Sequence, residues 1–528
     1  MDNFNIILFL CNWGPHAAFL TLQDKGAKIP PEIKMVRIPC TGRITKSLLL
    51  KAFEMGADGV ALVGCKSGTC RYGSGTETAS KNTEDIRNIL ELLGTGKDRM
   101  RLATFLADES DSLLQFLDDF CNAIRKLGHS PVTPPAKGAA IELVNKESVA
   151  GIISSHDIYA CQDCGKCTSA CPLALAGKTF SPRALASSII AGNIDSPAVQ
   201  KDIWSCLTCG LCYDRCPSAV NFADFVRDVR HLVKKSGAHG YEAHGGFFQT
   251  LMRTMTSPGL TPQRWQQLPG NIRIDPESKI LFFGGCAPYF DIFFREFLGA
   301  ETHNILIDSL RLLNFFDIQP ALLSAERCCG HDLLWSGDRE NFLKLAGLNV
   351  KAIHHRGIEE VITACPECYR TLAYDYGTYG IEVNFKVTHI YELLEKEIDK
   401  GAVNFKKTDK ILTYQDSCRL NRLEELTDLP RKLLNRLKPA GFHELQDKGS
   451  SVVCCGNCAW TGCDSFSKAL QVKRLRQAHD TGSNLLVTSC PKCQIHLKCA
   501  MEDPFLGDDL KMEITDLTGI LARTISWD

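Results

Sequence analysis

The chain has 528 residues, 26 of them cysteine, with 60 lysines and arginines against 61 aspartates and glutamates. The resulting net charge of -1 excludes a chain-wide basic field for nucleic acid, and a composition 44% apolar and 23% charged excludes a disordered chain. Cysteine is several times more frequent than usual, while the length implies roughly three to four domains and no apolar run reaches the roughly 18–20 residues of a membrane span. Met1-Asp2-Asn3-Phe4 lacks a basic signal region, and the apolar run from Ile6 to Leu10 is too short for a secretory signal. The expectation is a cytoplasmic protein, where dense cysteine points to metal rather than to disulfides.

Residues 5–10, 34–38 and 59–63 read as strands, and residues 45–55 and 83–93 as helices. Continuous apolar strands alternating with helices predict a small parallel α/β domain over 1–130. Ser130-Pro131-Val132-Thr133-Pro134-Pro135 reads as a linker. The block 131–275 has a helical pattern. Ser181-Pro182 opens one helix and Gly192 closes it, while Phe222, Phe225, Val226, Val229 and Val233 mark another that stops near Gly237. Residues 238–278, rich in Gly and Pro, read as a wrapping segment.

The block 276–528 contains a repeat, divided at about 405/406. Strands at 279–284 and 410–414 run into Cys286 and Cys418. Cys328-Cys329-Gly330 recurs as Cys454-Cys455-Gly456, and Cys365-Pro366-Glu367-Cys368 as Cys490-Pro491-Lys492-Cys493, each roughly 130 residues on. The hooks follow strands at 361–363 and 485–487. The expected fold class is α/β plus α: a small parallel α/β N-terminal domain, a helical ferredoxin domain and two pseudo-symmetric α/β half-domains.

The cysteines divide into three sets. Cys11, Cys40, Cys65 and Cys70 have the form C-x28-C-x24-C-x4-C, with the first three at the carboxyl ends of parallel strands. Such ends gather at one rim, and the spacing is compatible with a [2Fe–2S] cluster, a zinc ion or free thiols. Cys161, Cys164, Cys167 and Cys171-Pro172 form one C-x2-C-x2-C-x3-C-P run, and Cys206, Cys209, Cys212 and Cys216-Pro217 the other. Two such runs predict two [4Fe–4S] cubanes with exchanged fourth ligands: Cys161, Cys164, Cys167 and Cys216 for one, Cys206, Cys209, Cys212 and Cys171 for the other. The third set is Cys286, Cys328, Cys329, Cys365 and Cys368, then Cys418, Cys454, Cys455, Cys490 and Cys493. Adjacent cysteines chelate one ion poorly and suit a bridge between two metals. One cubane per half with a spare cysteine, zinc in one half and a redox disulfide at Cys328-Cys329 stay open on spacing alone.

Three resemblances add to this reading. Cys11-Asn12-Trp13, Pro39-Cys40-Thr41-Gly42-Arg43 and the segment from Gly64 to Tyr72 resemble the delta subunit of methyl-viologen-reducing hydrogenase. That resemblance implies one [2Fe–2S] cluster that passes electrons from a hydrogenase or formate dehydrogenase to a flavoprotein. The family often has a further cysteine after Asn-Trp, where this chain has Gly14. The helical block resembles the small ferredoxin-like component of heterodisulfide reductase (HdrC). The repeat resembles the CCG domains of the catalytic component of the same enzyme (HdrB), which implies a noncubane [4Fe–4S] cluster on each five-cysteine set and cleavage of a disulfide between them.

Together the resemblances imply the iron–sulfur component of a heterodisulfide reductase-like, flavin-based electron-bifurcating complex, active on a CoM-S-S-CoB-type or other disulfide. They also imply a separate FAD-carrying flavoprotein (HdrA-like), a hydrogenase, formate dehydrogenase or other donor module, and ferredoxin as partners. The chain shows no Gly-x-Gly-x-x-Gly fingerprint for a flavin of its own. The alternative expectation is an electron-transfer component that relays electrons to another catalytic protein. Outside the three sets, Cys121 reads as a small buried hydrophobe, Cys458 and Cys463 read as buried structural thiols or as residues that tune or line the pocket, and Cys499 carries no assigned role. His331 reads as a proton donor or a packed cap, and Arg419, Lys492 and Trp460 as candidates for an anionic substrate.

Overall fold

The computed structural model describes the whole chain except residues 1–3, 137, 139, 140, 267, 402, 424, 425 and 528. The amino-terminal reading on Met1, Asp2 and Asn3 lies outside the described residues. The chain folds as two compact units, Met1–Ala139 with His244–Gln266, and Ala140–Ala243 with Gln267–Asp528. The fold is mixed: parallel sheets with helices, and a largely helical segment. Among the described residues no helix is long and apolar enough to cross a membrane.

The first unit holds a four-stranded parallel sheet of β1 (Ile6–Cys11), β2 (Ile33–Ile38), β3 (Gly59–Gly64) and β4 (Met100–Thr104), in the order β2-β1-β3-β4. β3 is buried throughout, which its run Val60-Ala61-Leu62-Val63 permits without polar alternation. Leu8, Leu10 and Val63 pack with Phe19 and Leu22 of the helix Gly14–Asp24 and with Leu113, Leu117 and Phe120 of the helix Ser110–Leu127. Those two helices and β4 complete the three expected strands. The helix expected from 83 begins at Gly75 instead, because its first two turns are mostly polar and carry little apolar period. The Pro-rich connector starts fastened: the Ser130 N–H donates to Asp58 at 2.7 Å and the Thr133 N–H to Ser257 at 2.9 Å. Part of the Gly/Pro-rich segment belongs here too, as the helix Phe247–Thr254, whose Arg253 pairs with Glu54 at 2.8 Å.

In the second unit the helices Lys146–Ser155, Pro182–Ile190, Pro197–Ser205 and Phe222–Lys235 surround the two ferredoxin-type runs. Ser181 caps Pro182–Ile190 by accepting the Ala184 N–H, and Gly192 takes a φ of 85° just beyond it. The first repeat carries a parallel sheet of β5 (Ile280–Phe283), β6 (Glu360–Thr363) and β7 (Lys386–His389). The second carries β8 (Ile411–Gln415), β9 (Gly441–Phe442), β10 (Leu485–Thr488) and β11 (Glu513–Asp516), in the order β11-β10-β8-β9. The succession β8, β10, β11 repeats β5, β6, β7, with the short β9 added at an edge. One apolar core runs from Val226 and Val229 of the helical segment to Val453 and Leu470 of the second repeat.

Asp516 caps the last helix, Leu517–Thr524, accepting the Thr518 N–H at 2.9 Å and its hydroxyl at 2.7 Å. Burial nevertheless pushes its carboxyl up to about 7. The folded state therefore binds this proton more tightly than the unfolded chain. Its contribution is full below about pH 4 and is lost as pH rises through 7. Asp516→Asn keeps a competent cap and is expected to flatten that loss. Thermal melts from pH 4 to 8 check this, and an unchanged slope contradicts it.

Candidate metal centres

Cys11 ends β1, Cys40 follows β2 and Cys65 follows β3, so adjacent parallel strands deliver three thiols to one rim. Cys70 returns from the following loop. The sulfurs fall into two pairs, Cys11–Cys65 at 3.7 Å and Cys40–Cys70 at 3.9 Å. Two thiolates about 2.3 Å from one tetrahedral metal stand about 3.8 Å apart, so each pair has the spacing of two ligands on one ion. Gly75 closes the far side: a Cβ there would lie 2.5 Å from the Cys40 sulfur and 2.8 Å from that of Cys70. Burial, then Cys11, pushes the Cys65 thiol up to about 11. Thiols buried together in this way give up their protons to a multivalent cation.

The ferredoxin runs lie around two neighbouring cavities. One is lined by Cys171, Cys206, Cys209 and Cys212. The other is lined by Cys161, Cys167 and Cys216, with Cys212 between the two. Cys164, the remaining member of the outer group, is exposed. Complete burial pushes the Cys206 thiol up to about 12. Cys212 is raised by burial and then by Cys206, Cys209, Cys171 and Cys167. Backbone N–H groups point at sulfur, from Thr208 to Cys206 and from Val220 to Cys216, both at 3.4 Å.

Both repeats use one pairing scheme. Cys286 meets Cys328 at 2.8 Å, and Cys368 meets Cys329 at 3.5 Å. Likewise Cys418 bonds Cys454, and Cys455 bonds Cys493. The two members of each Cys-Cys pair thus face different partners, as a bridge between two metals requires. All five cysteines of the first repeat line one cavity, together with His331, Asp332, Glu367 and Lys492. The hooks of the two sets adjoin, since Pro491 and Lys492 of the second hook line the cavity of the first set. The second set also reaches the ferredoxin runs. Cys454 feels Cys418 and Cys455 first, then burial, then Cys209.

Of the residues outside the three sets, Cys121, Cys458 and His331 are buried, and several others are placed differently from their sequence reading. Lys492 is buried and pairs with Asp332 and with Glu367, the latter at 2.7 Å. Arg419 is buried on Thr208, Cys458 and the Trp335 ring. Trp460 packs between Phe290, Phe294 and His496. Arg419 and Trp460 are internal struts, and Lys492 lines the first-repeat cavity with its charge already paired. His331 lies 3.0 Å from Asp332 and 3.6 Å from Glu367. Cys121 and Cys458 are buried, whereas Cys463 is exposed and Cys499 is half-buried beside Lys468 at 3.3 Å. Cys463 follows a tight turn with positive φ at Ala459 and Trp460, which turns the chain outward. Asp332, Glu367, Thr208, Arg230 and Arg422 do not stand out in the sequence. Apart from Arg230, which lies well past Cys216 in the helix Phe222–Lys235, their only signal there is adjacency to cysteine motifs.

The profile of the methyl-viologen-reducing hydrogenase delta subunit matches residues 6–128. A 4Fe-4S dicluster domain matches 157–220, and a cysteine-rich domain matches twice, over 280–373 and 412–498. An iron-sulfur subunit of the F420-non-reducing hydrogenase of Archaeoglobus profundus is 33% identical over 124 residues, 24% of this chain and 90% of that protein. The chain belongs to the hydrogenase delta-subunit family. It is a fusion of that family's domain with a dicluster ferredoxin domain and two cysteine-rich domains. One subunit of the fumarate reductase (CoM/CoB) of Methanothermobacter marburgensis is 27% identical over 362 residues, 68% of this chain and 60% of that protein. One subunit of the dihydromethanophenazine:CoB--CoM heterodisulfide reductase of Methanosarcina acetivorans is 28% identical over 320 residues, 58% of this chain and 74% of that protein. The chain thus spans about 60% of the first of these two relatives and about three-quarters of the second. It is an iron–sulfur protein similar to subunits of heterodisulfide reductase.

Gly75→Ala places a methyl group against two sulfurs of the N-terminal set. It is expected to remove the iron held there while the other centres stay filled. Iron analysis with EPR checks this, and a full complement of iron in the variant contradicts it.

Proposed function

We propose that the chain is the iron–sulfur component of a cytoplasmic, heterodisulfide reductase-like, flavin-based electron-bifurcating complex. Electrons enter through the N-terminal and ferredoxin cysteines, and a disulfide is reduced at the paired five-cysteine sets. The observation that carries this reading is the repeated pairing scheme, with the hooks of the two complete sets joined by the Glu367–Lys492 ion pair. A disulfide needs two electrons and two protons to become two thiols, so two coupled one-electron centres suit it.

Iron–sulfur clusters would supply the electrons one at a time. The two sulfur pairs of the N-terminal set favour [2Fe–2S] over a single zinc ion, which would bring four thiolates equally close. The two cysteine-lined cavities favour two cubanes with exchanged fourth ligands: Cys161, Cys164, Cys167 and Cys216 for the outer, Cys206, Cys209, Cys212 and Cys171 for the inner. Five thiols per repeat, with each Cys-Cys pair split between partners, favour a noncubane [4Fe–4S] cluster on each. Domains at 1–130, 131–275 and 276–528 would then be an entry port, a wire and a reducing site. The protein's own contribution is to hold these groups. Glu367 and Lys492, the third residues of the two hooks, are ion-paired and tie the hooks together.

The partners that fit this reading are a flavoprotein carrying FAD, a hydrogenase, formate dehydrogenase or other donor module, and ferredoxin. A second reading is a relay component without disulfide chemistry. The similarity to a protein named as a subunit of a fumarate reductase (CoM/CoB) bears on both readings, since that name sets a second substrate beside CoM and CoB.

The test is oxidation of reduced viologen by the fully loaded chain with a panel of disulfides, including CoM-S-S-CoB. Turnover is expected, and Cys329→Ser and Cys455→Ser should each lower it at least about 100-fold while the cubane EPR signals persist. Full cluster content with no turnover on any disulfide would point to the relay.

A further inference from the structure

The loop Cys206-Leu207-Thr208-Cys209 is gripped by three guanidinium groups. Arg230, from the helix Phe222–Lys235, donates to the Cys206 carbonyl at 2.6 Å and to the Ile203 carbonyl at 2.8 Å. Arg419, beside Cys418, donates to the Thr208 carbonyl at 2.9 Å and to its hydroxyl at 3.1 Å. Arg422 donates to the Cys209 carbonyl at 2.9 Å and to the Val452 carbonyl at 2.8 Å. Arg419 and Arg422 share the π-helical turn Arg419–Leu423, a local widening of the kind found at functional sites. Arg230 and Arg419 are buried at 0% and 3% exposure. Their remaining bonds run to the Trp335 carbonyl at 2.8 Å and the Cys458 sulfur at 3.0 Å. Arg419 also lies 4.0 Å over the Trp335 ring.

Among the described residues no carboxylate lies within salt-bridge distance of these three guanidiniums. A buried cation requires compensation. Burial pushes Arg230 down from its usual range, and the Cys206 and Cys458 sulfurs push it back up. Beside Arg419 stand the Cys458 and Cys418 sulfurs, with the Glu367 and Asp375 carboxylates beyond them.

The outer run is built differently at the matching position. Thr208 and Asp163 each precede the second cysteine of their run, and both hold a left-handed backbone, with φ of 45° and 53°. This conformation is uncommon for residues with a Cβ. Around Thr208 it is fixed by buried cations. Asp163 brings a negative charge instead and neutralises Arg183, a half-exposed arginine that lines the outer cavity beside Cys161 and Cys167. Cys161 and Cys164 there are exposed.

We propose that Arg230, Arg419 and Arg422 hold the inner ferredoxin centre at a higher reduction potential than the outer one, giving this segment a direction toward the second five-cysteine set. Nearby positive charge favours the state that carries one more electron, and burial lessens its screening. The step is one electron leaving the outer centre and one entering the inner, with no bond made or broken and no proton moved. Arg419 and Arg422 are positioning residues, acting through the loop they hold. The proposal rests on the reading of the eight ferredoxin cysteines as two clusters, but not on a disulfide as final acceptor.

The test is an anaerobic, EPR-monitored redox titration of the full chain, with Cys164→Ser used to assign the outer signal. In the unsubstituted chain the inner signal is expected to titrate at the higher potential. Arg419→Gln and Arg422→Gln should lower the inner potential and leave the outer in place, while Arg419→Lys should restore most of the shift. Equal or reversed potentials in the unsubstituted chain overturn the proposal, whether or not the variants fold. An unmoved inner potential in iron-replete Arg419→Gln and Arg422→Gln overturns it as well. The expected shifts without disulfide turnover in any form of the chain would sink the disulfide-reductase reading and leave this one standing.

Discussion

Parallel strands that end together are the constraint on which the cysteine sets depend. A parallel sheet brings residues distant in sequence to one rim. β1 and β3 carry Cys11 and Cys65 to such a rim, with Cys40 just beyond β2. In the second unit β5 and β8 lead to Cys286 and Cys418, while β6 and β10 lead to the two Cys-Pro-x-Cys hooks. The thiols so gathered are mostly buried, and a buried thiol keeps its proton unless a cation displaces it. Such a core is thus matched to metal rather than to water.

The two repeats have diverged where they meet. The third residue of one hook is Glu367 and of the other Lys492, and they form a buried ion pair that also draws in Asp332. A buried pair of this kind adds little net stability, since desolvation offsets the attraction, but breaking one side costs about 3–5 kcal/mol. Its effect is to fix one arrangement of the two hooks. Charge is also divided on the ferredoxin side, where buried arginines surround the inner loop and a half-exposed Asp163–Arg183 pair decorates the outer one. The arrangement of fixed charges is therefore as ordered along the chain as the cysteines themselves.

Much of this is legible in the sequence because cysteine spacing is set by local geometry. The C-x2-C-x2-C-x3-C-P runs and the doubled hooks report short turns, which survive as text. Strands β1, β3, β5 and β10 are also plain, since buried parallel strands read as unbroken apolar runs. The helices Gly14–Asp24 and Ser110–Leu127 are not singled out there, although Leu113, Leu117 and Phe120 lie at helical spacing. The roles of Arg419 and Lys492 differ from their sequence reading, because a basic residue beside a cysteine looks the same whether it faces a ligand or a carbonyl. The partners that decide the matter, Thr208 for Arg419 and Asp332 for Lys492, lie over a hundred residues away. Spacing carries no trace of such pairings.

The central claim is that the two five-cysteine sets act as one site for a disulfide. A single-turnover experiment addresses it most directly: the chain, loaded and chemically reduced without oxygen, is mixed with CoM-S-S-CoB. Electrons withdrawn from the clusters and thiols released are then counted together. Two electrons lost and two thiols formed for each disulfide consumed is the expected result. Reduced clusters that stay reduced, with the disulfide intact, would contradict it.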